Sequence, residues 1–499
     1  MQPQPNILFL MSDQHNAGSM GCAGHPNVKT PTLDALAEEG VRFTRAFCNN
    51  PICSPSRITY VTGQYPHTHG FLGNNNFEYE DRNSNTMGST FRRHGYQTAQ
   101  VGKAHMIRRW DEEAYEFIRY SDLCDSDRND PSKHHYFKHL IDHGVADDYD
   151  EGTRAPGSES RIKGCAISKL PYEHSIEHFT GEQSLRFLEG WDRRRPFFLH
   201  MSFQRPHPPW HPSPEHADMY APADIQLGPD AADWWENQWA GRPDFITRSI
   251  TNRMKNRSMD DLKKMLAYHF TLVSVMDMEM GRVIDWLKAN GQYDNTIIVY
   301  AADHGDFAGD HGTCDKNVGI YESIHRIPFI IRYPFGPQGE TRDAIIESVD
   351  LFPTLCDLAG LTCPDQVDGR SIVPEISGEG EGKQEAICEW DFGGPQRRVN
   401  AIRTRRHRLV YYSRELGGEL YDHETDPFEM YNKWHDPEYQ QVRLELLERL
   451  FDRINEYRRR TDMDTDGLVA ARESNSPTQL LHKRWKKWSE IQQLTGKVE

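Results

Sequence analysis

The sequence predicts an α/β protein, with a large, mostly parallel sheet sandwiched by helices and a smaller α+β domain toward the carboxyl end. Three observations predict it. Short apolar runs alternate with segments of helical periodicity, the runs are continuously hydrophobic as in strands buried on both faces, and the texture changes after about residue 385. At 499 residues the chain also exceeds the size at which a single core stops growing. The expected divisions are 1–385 for the large domain, 386–475 for the smaller one and 476–499 for a basic tail.

Each element has a local reason. NILFLM (6–11) is apolar and ends in Ser12-Asp13-Gln14, which reads as a buried strand presenting polar groups at its carboxyl end. TPTLDALAEEG (30–40) opens on Thr-Pro, spaces its apolar residues helically and stops at glycine, so it predicts a helix. Strand-like runs recur at 96–102, 195–203, 295–302 and 326–334. The long helical stretch 261–291 stops at Asn-Gly directly before one of them, as a crossover helix would. Residues 110–170 and 204–250 are rich in Asp, Pro, Trp and His with weak periodicity and read as insertions or long loops over a site. Beyond 385, short strands over 398–413 lead to a helix over 437–460.

Composition excludes some classes of function. Lys plus Arg number 58 against 75 for Asp plus Glu, a formal charge of -17, which argues against a nucleic-acid partner. An anionic substrate would need positive charge concentrated in one pocket. The amino-terminal MQPQPNILFLM has no basic leader and too short an apolar stretch to span a membrane, so no membrane association and a cytoplasmic location are expected. Nine scattered cysteines are unlike a disulfide framework.

The most informative stretch is CSPSRITYVTG (53–63). A nucleophile at the start of a helix sits in a field that favours anions, and Arg57, one turn on, can hold it and the oxygens of an ester. This run resembles the signature of the type I sulfatases, formylglycine-dependent members of the alkaline phosphatase superfamily, in which that cysteine is converted to formylglycine. The resemblance covers roughly residues 5–435. SDQ (12–14) resembles the family's first metal-binding segment and ADHGD (302–306) its second. Asp13, Gln14, Asp303 and His304, joined by modified Cys53, are then the implied ligands of one divalent metal. Oxygen-rich ligands with a single imidazole suit Ca²⁺ first, with Mn²⁺ or Mg²⁺ as alternatives. GKAH (102–105) resembles the element that brings Lys103 and His105 to the pocket, and FQRPHPPWHP (203–212) the one that brings His207. Lys316 stands where relatives carry a sulfate-binding lysine or histidine, and ELYDHETDPFEMYN (419–432) resembles the family's carboxyl-terminal landmark.

The resemblance implies hydrolysis of sulfate esters to an alcohol and inorganic sulfate. The hydrated aldehyde at position 53, a geminal diol, would supply the nucleophile, with Asp303 taking or orienting its proton. Arg57, Lys103 and Lys316 would stabilise charge on the sulfuryl oxygens, His207 would protonate the leaving alcohol, and His105 would help expel sulfate. The implied partners are a small anionic ester and a formylglycine-generating maturation enzyme. A phosphonate monoester or phosphodiester hydrolase of the same superfamily is the nearest alternative, and a non-catalytic binding protein with unmodified Cys53 a more distant one. The tail places Trp485 and Trp488 among Lys483, Arg484, Lys486 and Lys487, which suggests a segment that holds a homo-oligomer together.

Overall fold

The computed structural model describes residues 4–74, 85–105, 108–122, 134–149, 164–392, 398–414 and 417–463. They fall into one unit ending at Leu447 and a second beginning at Glu448, of which only the helical residues 448–463 are described. The tail 476–499 lies outside the described residues.

The large sheet uses β1 (Asn6–Asp13), β2 (Val41–Phe47), β3 (Gln97–Gly102), β4 (Phe117–Tyr120), β5 (Phe197–Pro206), β6 (Thr296–Ala302), β7 (Phe329–Arg332) and β8 (Glu340–Glu347). Their spatial order is β4-β3-β5-β1-β6-β7-β2-β8, and every neighbouring pair is parallel except those made by β7. β1 is buried along its whole length between β5 and β6, which is why NILFLM is continuously apolar. Ile7, Phe9 and Met11 point to one face, against Leu351, Phe352 and Leu355. Leu8 and Leu10 point to the other, against Met276, Met280, Val283 and Leu287 of the helix Met259–Ala289.

That long helix starts at a capping box between Ser258 and Asp261 and later caps a neighbour. The helix α1 (Pro31–Glu38) has no side-chain cap of its own. Asp277 supplies one from the side, accepting from the backbone N–H groups of Thr32 and Leu33 at 2.9 Å each. A smaller antiparallel sheet follows, with β9 (Glu385–Asp391), β10 (Arg398–Thr404), β11 (His407–Tyr412) and β12 (Gly418–Asp422) in the order β12-β11-β10-β9. Its Cys388, Val399, Ala401, Val410 and Tyr421 join a core with Ile52, Trp239, Phe307 and Tyr321. No described helix is long and apolar enough to cross a membrane.

Two of the loop-like regions carry more structure than their composition suggested. Within 110–170 lies β4, an edge strand of four residues, mostly half-buried and so without a strong apolar signal. The end of 204–250 enters the helix Asp244–Met254, which buries Ile246, Ile250 and Met254 at helical spacing.

Candidate active site

Four parallel strands, β3, β5, β1 and β6, end side by side, and the chain just beyond each supplies the site. The pairings Met11 with Ser202 and Ser12 with Ala302 bring the carboxyl ends of β5, β1 and β6 level. Asp13 closes β1, while Asp303 and His304 follow β6. Lys103 and His105 follow β3, and His207 follows β5. The close approach at Gly102 requires glycine: its φ is 96° and a Cβ there would lie 1.8 Å from the Ser202 carbonyl oxygen. At Gly305 a Cβ would lie 1.9 Å from the Ser323 carbonyl, so the turn after His304 is equally tight.

Cys53 is the first residue of the buried helix α2 (Cys53–Thr62), at the positive end of the helix dipole, which favours negative charge. The turn before it is fixed from both sides: Asn50 Oδ1 accepts from the Ile52 N–H at 3.0 Å, and the Asn49 amide donates to Glu347 at 2.8 Å. Cys53 Sγ lies 3.1 Å from Lys316 Nζ, 3.4 Å from His304 Nε2 and 3.6 Å from Asp13 Oδ1. His105 and His207 also hydrogen-bond to it. Burial opposes ionisation of the thiol, but Lys103, Lys316 and the two histidines outweigh it and hold the group well below the usual thiol range.

Asp13, Cys53, Asp303 and His304 each direct a ligand atom into a space where these atoms all lie within 4.8 Å of one another. The chemistry of this donor set fits a divalent cation. His304 Nδ1 donates to the Gly305 carbonyl at 2.9 Å, which leaves Nε2 to carry the lone pair toward the carboxylates. Gln14 Oε1 is buried and has no hydrogen-bond partner, while its Nε2 donates to Asp315 at 2.9 Å and also to Asp306. A buried acceptor without a protein partner beside this donor set fits a further oxygen ligand for the cation. Burial lowers the pKa of His304, yet Asp303 and Cys53 draw a proton onto it and raise it to about 9, in the place a cation's charge would fill. Burial and Cys53 push the Asp13 carboxyl up, but Lys103, His207 and Lys316 prevail and hold it below its ordinary range.

The remaining cations divide into two groups. Lys103 contacts Asp13 Oδ2. Arg57 Nε donates to Asp303 Oδ2 at 2.8 Å, Nη1 to Ser202 Oγ at 2.8 Å and to the Lys103 carbonyl at 3.1 Å, and Nη2 reaches Asp13 Oδ2 at 3.4 Å. These bonds make Arg57 a brace between the two carboxylates. Lys316 Nζ, by contrast, sits at the mouth of the thiol and is 3.1 Å from His304 Nε2. The candidate catalytic and metal-binding residues singled out from the sequence therefore meet in one place. Sequence reasoning gave no role to Asp306 and Asp315, which orient the Gln14 amide, although Asp306 closes the ADHGD run. Nor did it single out Arg205, which is wholly buried, donates to Glu177 at 2.8 Å and holds the carbonyls of His207 and Pro209 at 3.2 and 2.7 Å.

A parallel sheet whose strand ends gather acids, an imidazole, lysines and a helix-borne nucleophile defines a hydrolase of the alkaline phosphatase superfamily. The sulfatase family model matches residues 5–361, and the model of the N-sulphoglucosamine sulphohydrolase carboxyl-terminal region matches residues 309–456. An arylsulfatase of Clostridium perfringens is 30% identical over 489 residues, covering 93% of this chain and 96% of that one. An N-acetylglucosamine-6-O-sulfatase of Bacteroides thetaiotaomicron is 28% identical, covering 93% and 88%. Among solved structures, the phosphonate monoester hydrolase of Agrobacterium radiobacter superposes with a TM-score of 0.78 at 25% identity, covering 91% of this chain and 96% of that one. The chain belongs to the sulfatase family and is a sulfuric ester hydrolase.

Proposed function

We propose that Cys53 is converted to formylglycine and that the protein, with one divalent cation held by Asp13, Gln14, Asp303, His304 and the modified residue, hydrolyses a small sulfate monoester. The observation that carries this reading is the position of Cys53 Sγ, at a helix start and within 3.1–3.6 Å of Lys316, His304 and Asp13. When bound, the cation, Ca²⁺ by its oxygen-rich ligands, would withdraw charge from the sulfate and the aldehyde hydrate would provide the attacking oxygen.

The chain's own residues do the rest. Arg57 and Lys103 neutralise and orient Asp13 and Asp303, so that both carboxylates face the cation rather than each other. Lys316 Nζ, beside the reacting atom, binds a sulfuryl oxygen and gains strength as charge builds there. Asp303 is suited to hold the nucleophile's proton. His207 donates its Nδ1–H to the Pro208 carbonyl, so its Nε2 can serve as the donor to the leaving alcohol only when the ring also carries a second proton there, as the imidazolium. His105, beyond the end of the neighbouring strand β3, is placed to take the second proton and release sulfate. A cytoplasmic location is part of this reading, in keeping with nine cysteines scattered along the sequence unlike a disulfide framework.

Mass spectrometry of the tryptic peptide containing Cys53, from a host able to install the modification, should show a loss of about 18 Da relative to the thiol. Full activity with an unmodified thiol would overturn the reading. The phosphonate monoester hydrolase likeness supports a second activity on the same site, and turnover of matched aryl sulfate and aryl phosphonate esters on one preparation decides which leads.

A further inference from the structure

Outside the residues gathered round Cys53, three histidines meet at the protein surface. His139 lies in the helix His135–Asp142, His143 closes it, and His174 ends the short turn Tyr172–His174. Residues four apart on a helix share a face, so the first two imidazoles project together. His139 Nε2 is 3.1 Å from His174 Nδ1. The ring centroids are 4.2 Å apart for His139 and His143, 5.0 Å for His143 and His174, and 5.2 Å for His139 and His174. One nitrogen from each ring falls within 4.8 Å of the other two. Nitrogens bound to one tetrahedral ion at about 2.0–2.1 Å stand about 3.4 Å apart, so small side-chain rotations would close the set.

The hydrogen bonding also fits. His143 Nδ1 donates to the His139 carbonyl at 2.8 Å, which leaves the lone pair on Nε2, the arrangement in which metal-bound imidazoles are found. Ordinary packing explains part of the cluster, since the His139 ring lies against Phe179 at 5.4 Å. It does not explain why the exposed His143 ring turns inward on the other two. The set contains no carboxylate, so a hard, oxygen-seeking cation gains little there. Three neutral imidazoles with a fourth position open to water suit a borderline divalent ion such as Zn²⁺, Ni²⁺ or Cu²⁺.

We propose that His139, His143 and His174 form a second metal site, for a borderline divalent transition ion, separate from the oxygen-rich site at Asp13 and Asp303. An ion there would tie the helix to a turn 35 residues further along the chain and so act as a structural clip.

The test uses the full-length protein saturated with Ca²⁺ and titrated with Zn²⁺, beside the His143→Asn and His174→Ala variants. Wild type should take up one more equivalent of Zn²⁺ than either variant, and its melting temperature should rise with Zn²⁺ where theirs does not. X-ray absorption at the Zn edge should add a signal of three nitrogen neighbours that the variants lack. Aryl sulfate turnover should be unchanged in both variants, and because His143 is exposed at a helix end, His143→Asn tests the site without disturbing the core. Equal uptake and equal thermal shifts in all three proteins would overturn the proposal.

Discussion

Replacing Arg205 with methionine tests how the fold positions His207, the proposed leaving-group acid. The side chain is wholly buried, pairs with Glu177 at 2.8 Å and holds the carbonyls of His207 and Pro209. Methionine roughly fills the volume but leaves the Glu177 carboxylate buried without a cation, and removing one partner of a buried pair costs about 3–5 kcal/mol. Adding Glu177→Gln removes the stranded charge and should return about 1–3 kcal/mol of that loss, the cost of an unsatisfied charged group. Urea unfolding of wild type, both single variants and the double variant measures the coupling. Catalysis should respond differently. With the carbonyls of residues 207 and 209 released, His207 drifts, and a displacement of the order of 1 Å costs about 10²-fold in rate. That loss should fall on an alkyl sulfate, whose alkoxide needs a proton to depart, and hardly on 4-nitrophenyl sulfate, whose phenolate leaves unaided. The double variant should regain stability but not alkyl sulfate turnover. Equal rate losses on the two substrates, or a double variant no more stable than Arg205→Met, would refute the reasoning.

Three further outcomes are expected. Chelation of the cation should abolish turnover and Asp303→Asn should remove most of it, while Asp306→Asn, which turns an amide against the Gln14 amide, should weaken metal affinity about 10–100-fold by isothermal titration; metal-free enzyme that keeps its full rate would mean the cluster is only structural. Burial raises the Asp277 carboxyl from an ordinary 3.8 to about 7, against its bonds to the Thr32 and Leu33 N–H groups. The folded protein thus keeps a proton that the unfolded chain loses between about pH 4 and 7, so this residue's contribution to stability falls as pH rises through that window. Asp277→Asn should flatten that part of the profile of melting temperature against pH, and an unchanged slope would discount the assignment. Truncation after Pro477 should lower the mass measured by light scattering if the tail holds an oligomer; an unchanged oligomer, or a monomeric full-length protein, would remove that role.

Much of the site was legible because its residues sit in short runs whose spacing is itself the chemistry. Cys53 and Arg57 share one helix turn, Asp303 and His304 are adjacent, and Lys103 and His105 follow one strand, so local sequence already fixes each pair. The apolar strand runs were equally plain, because β1, β5 and β6 are buried on both faces. The edge strand β4 and the antiparallel β7 were harder, since a short strand's partner and direction depend on what lies beside it.

What the sequence by itself determined is the set of reactive groups and the strand ends that carry them. What only the tertiary structure decided is how those groups pair with one another. Arg57, read from the sequence as a hand for the ester, spends its guanidinium on Asp303, Asp13, Ser202 and the Lys103 carbonyl, because four parallel strand ends crowd two carboxylates into one dry space that needs a fixed cation. Lys316, 263 residues from Cys53 in the chain, lies 3.1 Å from its sulfur. Asp306 and Asp315 act on Gln14 across 292 and 301 residues of chain, and Glu177 holds Arg205 across 28. Contacts of that kind are products of register and crossover, and no periodicity in a single sequence encodes them.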